Sequence, residues 1–168
     1  MAYSYLIPDW FFGFDIGMEI LFSIITIAVA FVAFNISKIT KEKNIRLFGI
    51  AFLLIGISYI TWASSNFWLV KAAASGFREV TLKNIAFVGV IGIYSHMIMF
   101  ISGLATLAYT TFNIKKGEAY CLLLGLSLLV VVSSLNKLIT FRILSVFIIS
   151  FIAYHYFKEY IKNRNKSR

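Results

Sequence analysis

The chain has 168 residues, of which 60% are apolar and 14% are charged, against roughly 45–50% and 25% in soluble domains. Its mean hydropathy is +0.86. A globule of 19.1 kDa could not bury this much apolar surface, because small domains leave much of their chain exposed. The composition excludes a soluble enzyme and a disordered tail, and it predicts an all-α integral membrane protein. A single cysteine also excludes a disulfide framework.

Five apolar segments are each long enough to cross a bilayer, which takes about 20 residues of helix. None of them contains a proline. We therefore predict a single transmembrane helical domain over residues 1–168, built as a bundle of about five helices. The predicted spans are roughly Ile16–Ile36, Leu47–Ser64, Ile85–Phe112, Ala119–Leu135 and Ile139–Phe157.

Basic residues are distributed unevenly between the two ends of these spans. Eleven of the sixteen lie in the first and third connections and after the last span, and five lie at the opposite end. By the positive-inside rule the richer side is cytoplasmic. The sequence therefore predicts an outer amino terminus and a basic cytoplasmic tail, in the plasma membrane of a prokaryote. Because topology explains most of the +9 net charge, we expect the lipid bilayer as a partner and no nucleic acid.

Small and polar residues recur every three or four positions along the first three spans. Helices in lipid associate through such residues, which permit close approach and interhelical hydrogen bonds. We therefore expect the first three helices to form the packed core, and the leucine-rich fourth to lie at the periphery or against another subunit. The expected seams are Asp15, Glu19, Ser23, Thr26, Ala30, Ala33 and Ser37 on the first helix, Gly49, Phe52, Gly56, Tyr59, Ala63 and Asn66 on the second, and Gly89, Gly92, His96, Met99, Gly103, Thr106, Thr110 and Asn113 on the third.

Glu19 is the acidic residue of the first span and lies near its outer end. A carboxylate inside a span is costly and usually faces the bundle interior or a cavity. Arg142 lies at a comparable depth in the fifth span, so we expect a Glu19–Arg142 ion pair, with Asp15 nearby, at the outer end of the bundle. Two alternatives stay open: a proton- or cation-handling carboxylate at the mouth of a cavity, and a side chain that snorkels to the interface.

His96 lies near the middle of the third span, on its small-residue face. We expect a buried histidine that is hydrogen-bonded to Tyr59 or Asn66. A haem ligand is the alternative. The second of the two histidines, His155, is offset from His96 by about 8 Å along the membrane normal, so we expect neither haem nor another cofactor or metal.

The sequence contains no zinc-binding His-Glu-x-x-His helix, nucleophile elbow, P-loop or dinucleotide-binding glycine pattern. We therefore expect a non-enzymatic membrane subunit, either sensor-like or assembling with a membrane-protein partner or with further copies of itself. The alternative is a small transporter or channel that uses Glu19 and His96. Against this alternative, the proline-broken helices found in transporters are not evident in these spans.

Overall fold

The computed structural model describes residues 9–74, 82–112 and 117–166, with side chains over 13–71, 87–112, 117–162 and at Arg164. This part of the chain is helical and contains no strand. Each predicted span falls on one helix, although α1, α2 and α5 run well beyond it. The helices are α1 (Asp9–Thr40), α2 (Lys43–Ala74), α3 (Leu82–Thr111), α4 (Gly117–Ser133) and α5 (Lys137–Lys166).

Four of these helices, α1, α2, α3 and α5, are long and apolar enough to cross a membrane. The single proline of the chain, Pro8, precedes α1 in the sequence, so no helix is broken by a missing backbone donor. The fourth helix has 17 residues, which is about 25 Å of helix against a bilayer core of about 30 Å. The fold therefore suggests a membrane protein with four long spans, and a fifth crossing by α4 stays a prediction.

The helices α1, α2 and α3 lie side by side in a row, and α3 also forms a three-helix group with α4 and α5. α1 packs on α2 and α2 packs on α3, while α3, α4 and α5 pack on one another. Within the described residues, no Cα atom of α1 lies within 8 Å of a Cα atom in α3, α4 or α5. The arrangement is therefore more open than a bundle closed at its outer end, because α1 approaches only α2 closely.

The predicted seams of small residues are the surfaces at which the first three helices meet. A Cβ atom on Gly56 of α2 would lie 2.7 Å from a side-chain carbon of Ile27 in α1. One on Gly103 of α3 would lie 2.7 Å from a side-chain carbon of Ile55 and 2.8 Å from the Ala51 carbonyl oxygen. Any larger residue would push these helices apart. Further small residues buried on the same seams are Ser23, Ala30, Ala33, Gly49 and Gly92.

The fourth helix lies at the periphery, as its leucine-rich composition predicts. Ser127 and Val131 are its buried residues. Val131 packs into an apolar cluster with Met97 and Ile101 of α3 and with Phe141 of α5. This cluster of larger apolar side chains lies where α3 meets α4 and α5, while smaller buried residues such as Ala30 and Ala51 fill the contacts of the first three helices, as the sequence predicts. Most of α4 faces away from the protein.

The connection between α1 and α2 consists of two residues, Lys41 and Glu42. Lys41 adopts a left-handed backbone conformation with φ of 56°, and its N–H donates to the Ser37 carbonyl at 2.9 Å. A left-handed residue at this position ends many helices and is usually glycine. The tight turn places the end of α1 beside the start of α2.

Candidate functional site

Four of the six predicted site residues gather where α1, α2 and α3 pack, and a fifth, Asp15, interacts with Glu19 from one turn earlier in α1. The Asn66 side-chain amide of α2 donates a hydrogen bond of 2.8 Å to Oε1 of Glu19 in α1. The Tyr59 side chain interacts electrostatically with Glu19. Its ring centroid is 6.0 Å from that of His96 in α3. The sequence-based grouping of Glu19, Tyr59, Asn66 and His96 therefore corresponds to one continuous cluster across three helices.

Glu19 is a buried acidic side chain with one satisfied oxygen. Its relative exposure is 6%, and its second oxygen, Oε2, has no hydrogen-bond partner. Asp15, one turn earlier and exposed, and the Trp62 side chain both interact with the Glu19 carboxyl group. The carboxyl group is therefore held mainly by neutral donors from α2, with a second acidic group close by.

The expected Glu19–Arg142 ion pair is wrong. Arg142 is exposed and lines a surface concavity with residues of its own helix, α5. Its neighbour Phe141 is the residue that turns inward, with 9% exposure, because successive residues of a helix point about 100° apart. A similar depth in the membrane does not bring two residues together when their helices, here α1 and α5, have no close contact.

A second interhelical hydrogen bond lies one turn below Glu19 on the same face of α1. The Ser23 hydroxyl donates to the Gly56 carbonyl of α2 at 3.1 Å, in a buried position. Because glycine at position 56 lets the two helices approach, the hydroxyl reaches the backbone of its neighbour. Ser23 and Glu19 together provide two side-chain hydrogen bonds between α1 and α2.

His96 is bonded to the backbone of α2, and neither predicted partner holds it. Its Nδ1 lies 3.0 Å from the Ser58 carbonyl oxygen. Since a carbonyl oxygen only accepts, Nδ1 is the donor and carries the hydrogen. The expected bond to Tyr59 or Asn66 is wrong: Tyr59 contacts the imidazole through its ring, and Asn66 is bonded to Glu19.

An aromatic cluster surrounds the imidazole, and sequence reasoning missed most of it. The ring centroid of His96 lies 5.3 Å from Trp62, 5.7 Å from Phe100 and 5.6 Å from Phe141. The sequence spacing indicates these aromatic contacts. Tyr59 and Trp62 are three residues apart and His96 and Phe100 are four apart, so the two members of each pair lie on the same helix face.

The contacts of these residues favour a structural role over chemistry. Glu19 and His96 touch an amide, a backbone carbonyl and aromatic rings, and each of these contacts joins two helices. Across the residues that the structure describes, no group of three or more His, Cys, Asp or Glu side chains could hold a metal ion. The absence of haem and of other cofactors stays a prediction.

A separate groove lies in the opposite half of the molecule. It has a volume of about 610 Å³ and is lined mainly by apolar side chains of α1 and α2, with Thr110 of α3 and Tyr156 of α5. Neither Glu19 nor His96 lines it. The groove therefore marks the gap between α1 and α5, and it does not lead to the polar cluster.

Comparison with known proteins gives no match to a family model, to a curated protein or to a solved structure. Inferences about function therefore depend on the residues and contacts described above.

Proposed function

We propose that this chain is a multi-pass protein of a prokaryotic plasma membrane, with five spans, an outer amino terminus and a cytoplasmic carboxyl terminus. Four helices of sufficient length and hydropathy support the membrane placement. The 17 residues of α4 are near the shortest length that crosses a bilayer core. The excess of basic residues around the α1–α2 turn and in the last turns of α5 supports the orientation by the positive-inside rule.

Within that membrane, the chain acts as a non-enzymatic assembly subunit that binds a second copy of itself through α4. The observation that carries this proposal is the surroundings of Gly125. Added Cβ atoms on Gly56, Gly92 and Gly103 would each run into a neighbouring helix, whereas nothing lies within 4 Å of one on Gly125. In lipid, small residues mark places where helices approach closely, and none of the helices that the structure describes lies against Gly125.

The small residues of α4 form a self-complementary face. Gly117, Cys121 and Gly125 follow one another at intervals of four residues, and all three are exposed. Residues four apart lie on one face of a helix, and two copies of such a face pack together in membrane dimers. A two-fold contact between identical helices needs only this one surface. A sensor-like role would use the same contact to report a change in the membrane.

The test uses the native Cys121, which is exposed and is the only cysteine of the chain. In reconstituted bilayers, a short bis-maleimide should cross-link two copies at Cys121, and Gly125→Leu should abolish the cross-link. Gly89→Leu is the matched control, because Gly89 also faces open space but lies on α3, so the cross-link should persist. A monomer at every protein-to-lipid ratio, or a cross-link insensitive to Gly125→Leu, would contradict the assembly.

A small transporter or channel is the second candidate function, and the unpartnered Oε2 of Glu19 favours it. Under this alternative, Glu19→Gln would abolish a proton or cation flux into liposomes that contain the purified chain. The proposed assembly subunit gives no such flux in either form. A flux that depends on Glu19 would therefore place the transport function ahead of the assembly function.

A further inference from the structure

A concavity of about 580 Å³ lies against the turn between α1 and α2. Three cationic residues line it: Lys38 near the end of α1, Lys41 in the turn and Arg46 at the start of α2. Phe31 and Phe34, one to two turns earlier in α1, also contribute to its wall. The concavity therefore joins a cationic part to an apolar part.

The three cationic side chains have no anionic partner in the described part of the chain. Lys41 and Arg46 form hydrogen bonds through their backbone N–H groups, which donate to the carbonyl oxygens of Ser37 and Glu42 respectively. No side-chain hydrogen bond or ion pair to another described residue involves Lys38, Lys41 or Arg46. Three like charges around one concavity produce a positive potential that concentrates anions.

The two parts of the concavity lie at different depths along α1. Lys38 follows the end of the predicted apolar span, Ile36, by two residues, so it lies at headgroup level when α1 crosses the membrane. Phe31 is 66% exposed and lies about 10 Å deeper along the helix, at the level of acyl chains. A free anion needs only the cations, whereas a lipid uses both parts.

We propose that this concavity binds an anionic phospholipid, with the phosphate among Lys38, Lys41 and Arg46 and the glycerol end of an acyl chain along Phe31. Basic pockets at the cytoplasmic ends of transmembrane helices bind anionic headgroups for the same electrostatic reason. This inference rests on the membrane placement proposed above. It is independent of the contact through α4.

The experiment counts lipids bound to the purified full-length chain by native mass spectrometry, in a zwitterionic detergent. Phosphatidylglycerol should bind more tightly than phosphatidylcholine. The triple variant K38Q/K41Q/R46Q should bind phosphatidylglycerol at least about tenfold more weakly, since each basic side chain near an anionic headgroup contributes to affinity. The control variant K158Q/K162Q/R164Q removes the same charge from the end of α5 and should change the affinity by less than about threefold.

Two further arms identify the ligand. Phe31→Ser should weaken the binding of phosphatidylglycerol, and inorganic phosphate should not displace the lipid. Equal losses in the two triple variants would overturn the site, because only overall charge would then matter. Displacement by inorganic phosphate, together with no effect of Phe31→Ser, would overturn the lipid as the ligand.

A separate measurement distinguishes failure of the site from failure of the membrane placement. The chain should float with liposomes of pure phosphatidylcholine and should resist extraction by alkaline carbonate. If it floats but shows no preference for phosphatidylglycerol, the site is wrong and the placement stands. If it does not enter these liposomes, the membrane placement itself is wrong.

Discussion

Helices α3 and α4 are both apolar and both contain glycine, yet their glycines meet different surroundings. A Cβ atom on Gly103 of α3 would lie 2.8 Å from the Ala51 carbonyl oxygen in α2, whereas nothing lies within 4 Å of one on Gly125 in α4. The difference comes from the neighbouring helices: α2 presents the small residue Ala51 to α3, whereas none of the described helices covers this face of α4. A small residue therefore marks a close contact only where a second helix presents a matching face.

The largest effect should come from adding volume at the contact between α2 and α3. Gly103→Leu should lower the free energy of unfolding by about 3 kcal/mol or more, because the new side chain meets backbone that cannot move aside. Gly125→Leu should change it by less than about 0.5 kcal/mol in dilute detergent, where the chain is monomeric. Unfolding in mixed micelles measures both. Equal losses would mean that α4 is packed as tightly as α3.

The next largest effect concerns the hydrogen bond from Asn66 of α2 to Glu19 of α1. Asn66→Leu should cost about 1–3 kcal/mol, because it removes one of the two side-chain donors of the buried Glu19 carboxyl group. The double variant Glu19→Leu/Asn66→Leu should recover part of this loss, since the buried carboxyl group is then removed together with its donor. A double-mutant cycle of thermal unfolding measures the coupling between the two residues.

A double-mutant cycle on Glu19 and Arg142 is the matched control for the cycle on Glu19 and Asn66. Their effects should add to within about 0.5 kcal/mol, because the two residues share no partner. A strong coupling between Glu19 and Arg142, combined with none between Glu19 and Asn66, would restore the ion pair that the sequence predicts and would contradict the observed contacts.

A smaller effect should separate the two histidines. His96→Phe should cost about 1 kcal/mol, because the ring packing is kept but the hydrogen bond to the Ser58 carbonyl is lost. His155→Phe should be neutral or slightly stabilising, since the buried Nδ1 of His155 has no hydrogen-bond partner and its ring already packs on Phe112. Thermal unfolding that ranks the two variants in the opposite order would contradict these roles.

The smallest effect should be a gain in stability at the α1–α2 turn. Lys41→Gly should stabilise the chain by about 0.5–1 kcal/mol, because glycine adopts the left-handed conformation of this residue without strain. Lys43→Gly, at the first position of α2, should not stabilise it. Both are measured in zwitterionic detergent, where no anionic lipid contributes. A loss of stability in Lys41→Gly would show that the lysine side chain holds the turn.

Periodicity in the sequence predicted the helices and the faces that they bury. The five apolar runs fall on five helices, and most small residues of the first three spans meet across the interfaces. Gly56, Gly92 and Gly103 lie close to a neighbouring helix, whereas Gly89 faces open space. Both features depend on local spacing alone. The peripheral position of α4 could be predicted for the same reason, because most of its residues are leucine or valine.

Pairing between helices could not be predicted from residue depth. Arg142 and Glu19 lie at similar depths, but which helices meet depends on packing angles and on the direction in which each side chain points. The partner of His96 was also inaccessible, since the acceptor is the backbone carbonyl of Ser58, and any residue type at that position supplies the same group. Periodicity thus determines faces, while three-dimensional packing determines partners.

The proposed assembly requires that α4 crosses the bilayer as an outward-facing contact helix. Labelling of single cysteines in intact cells is the most direct measurement of this requirement. In a Cys121→Ser background, Leu135→Cys lies between α4 and α5 and is fully exposed. Two further single-cysteine variants report on the opposite side of the membrane: Glu42→Cys, between α1 and α2, and Lys162→Cys, near the end of α5. With five spans, an impermeant maleimide should label position 135 and leave 42 and 162 unlabelled until the cells are opened. Labelling of position 162 from outside, with position 135 protected, would mean four spans and would contradict the proposed role of α4.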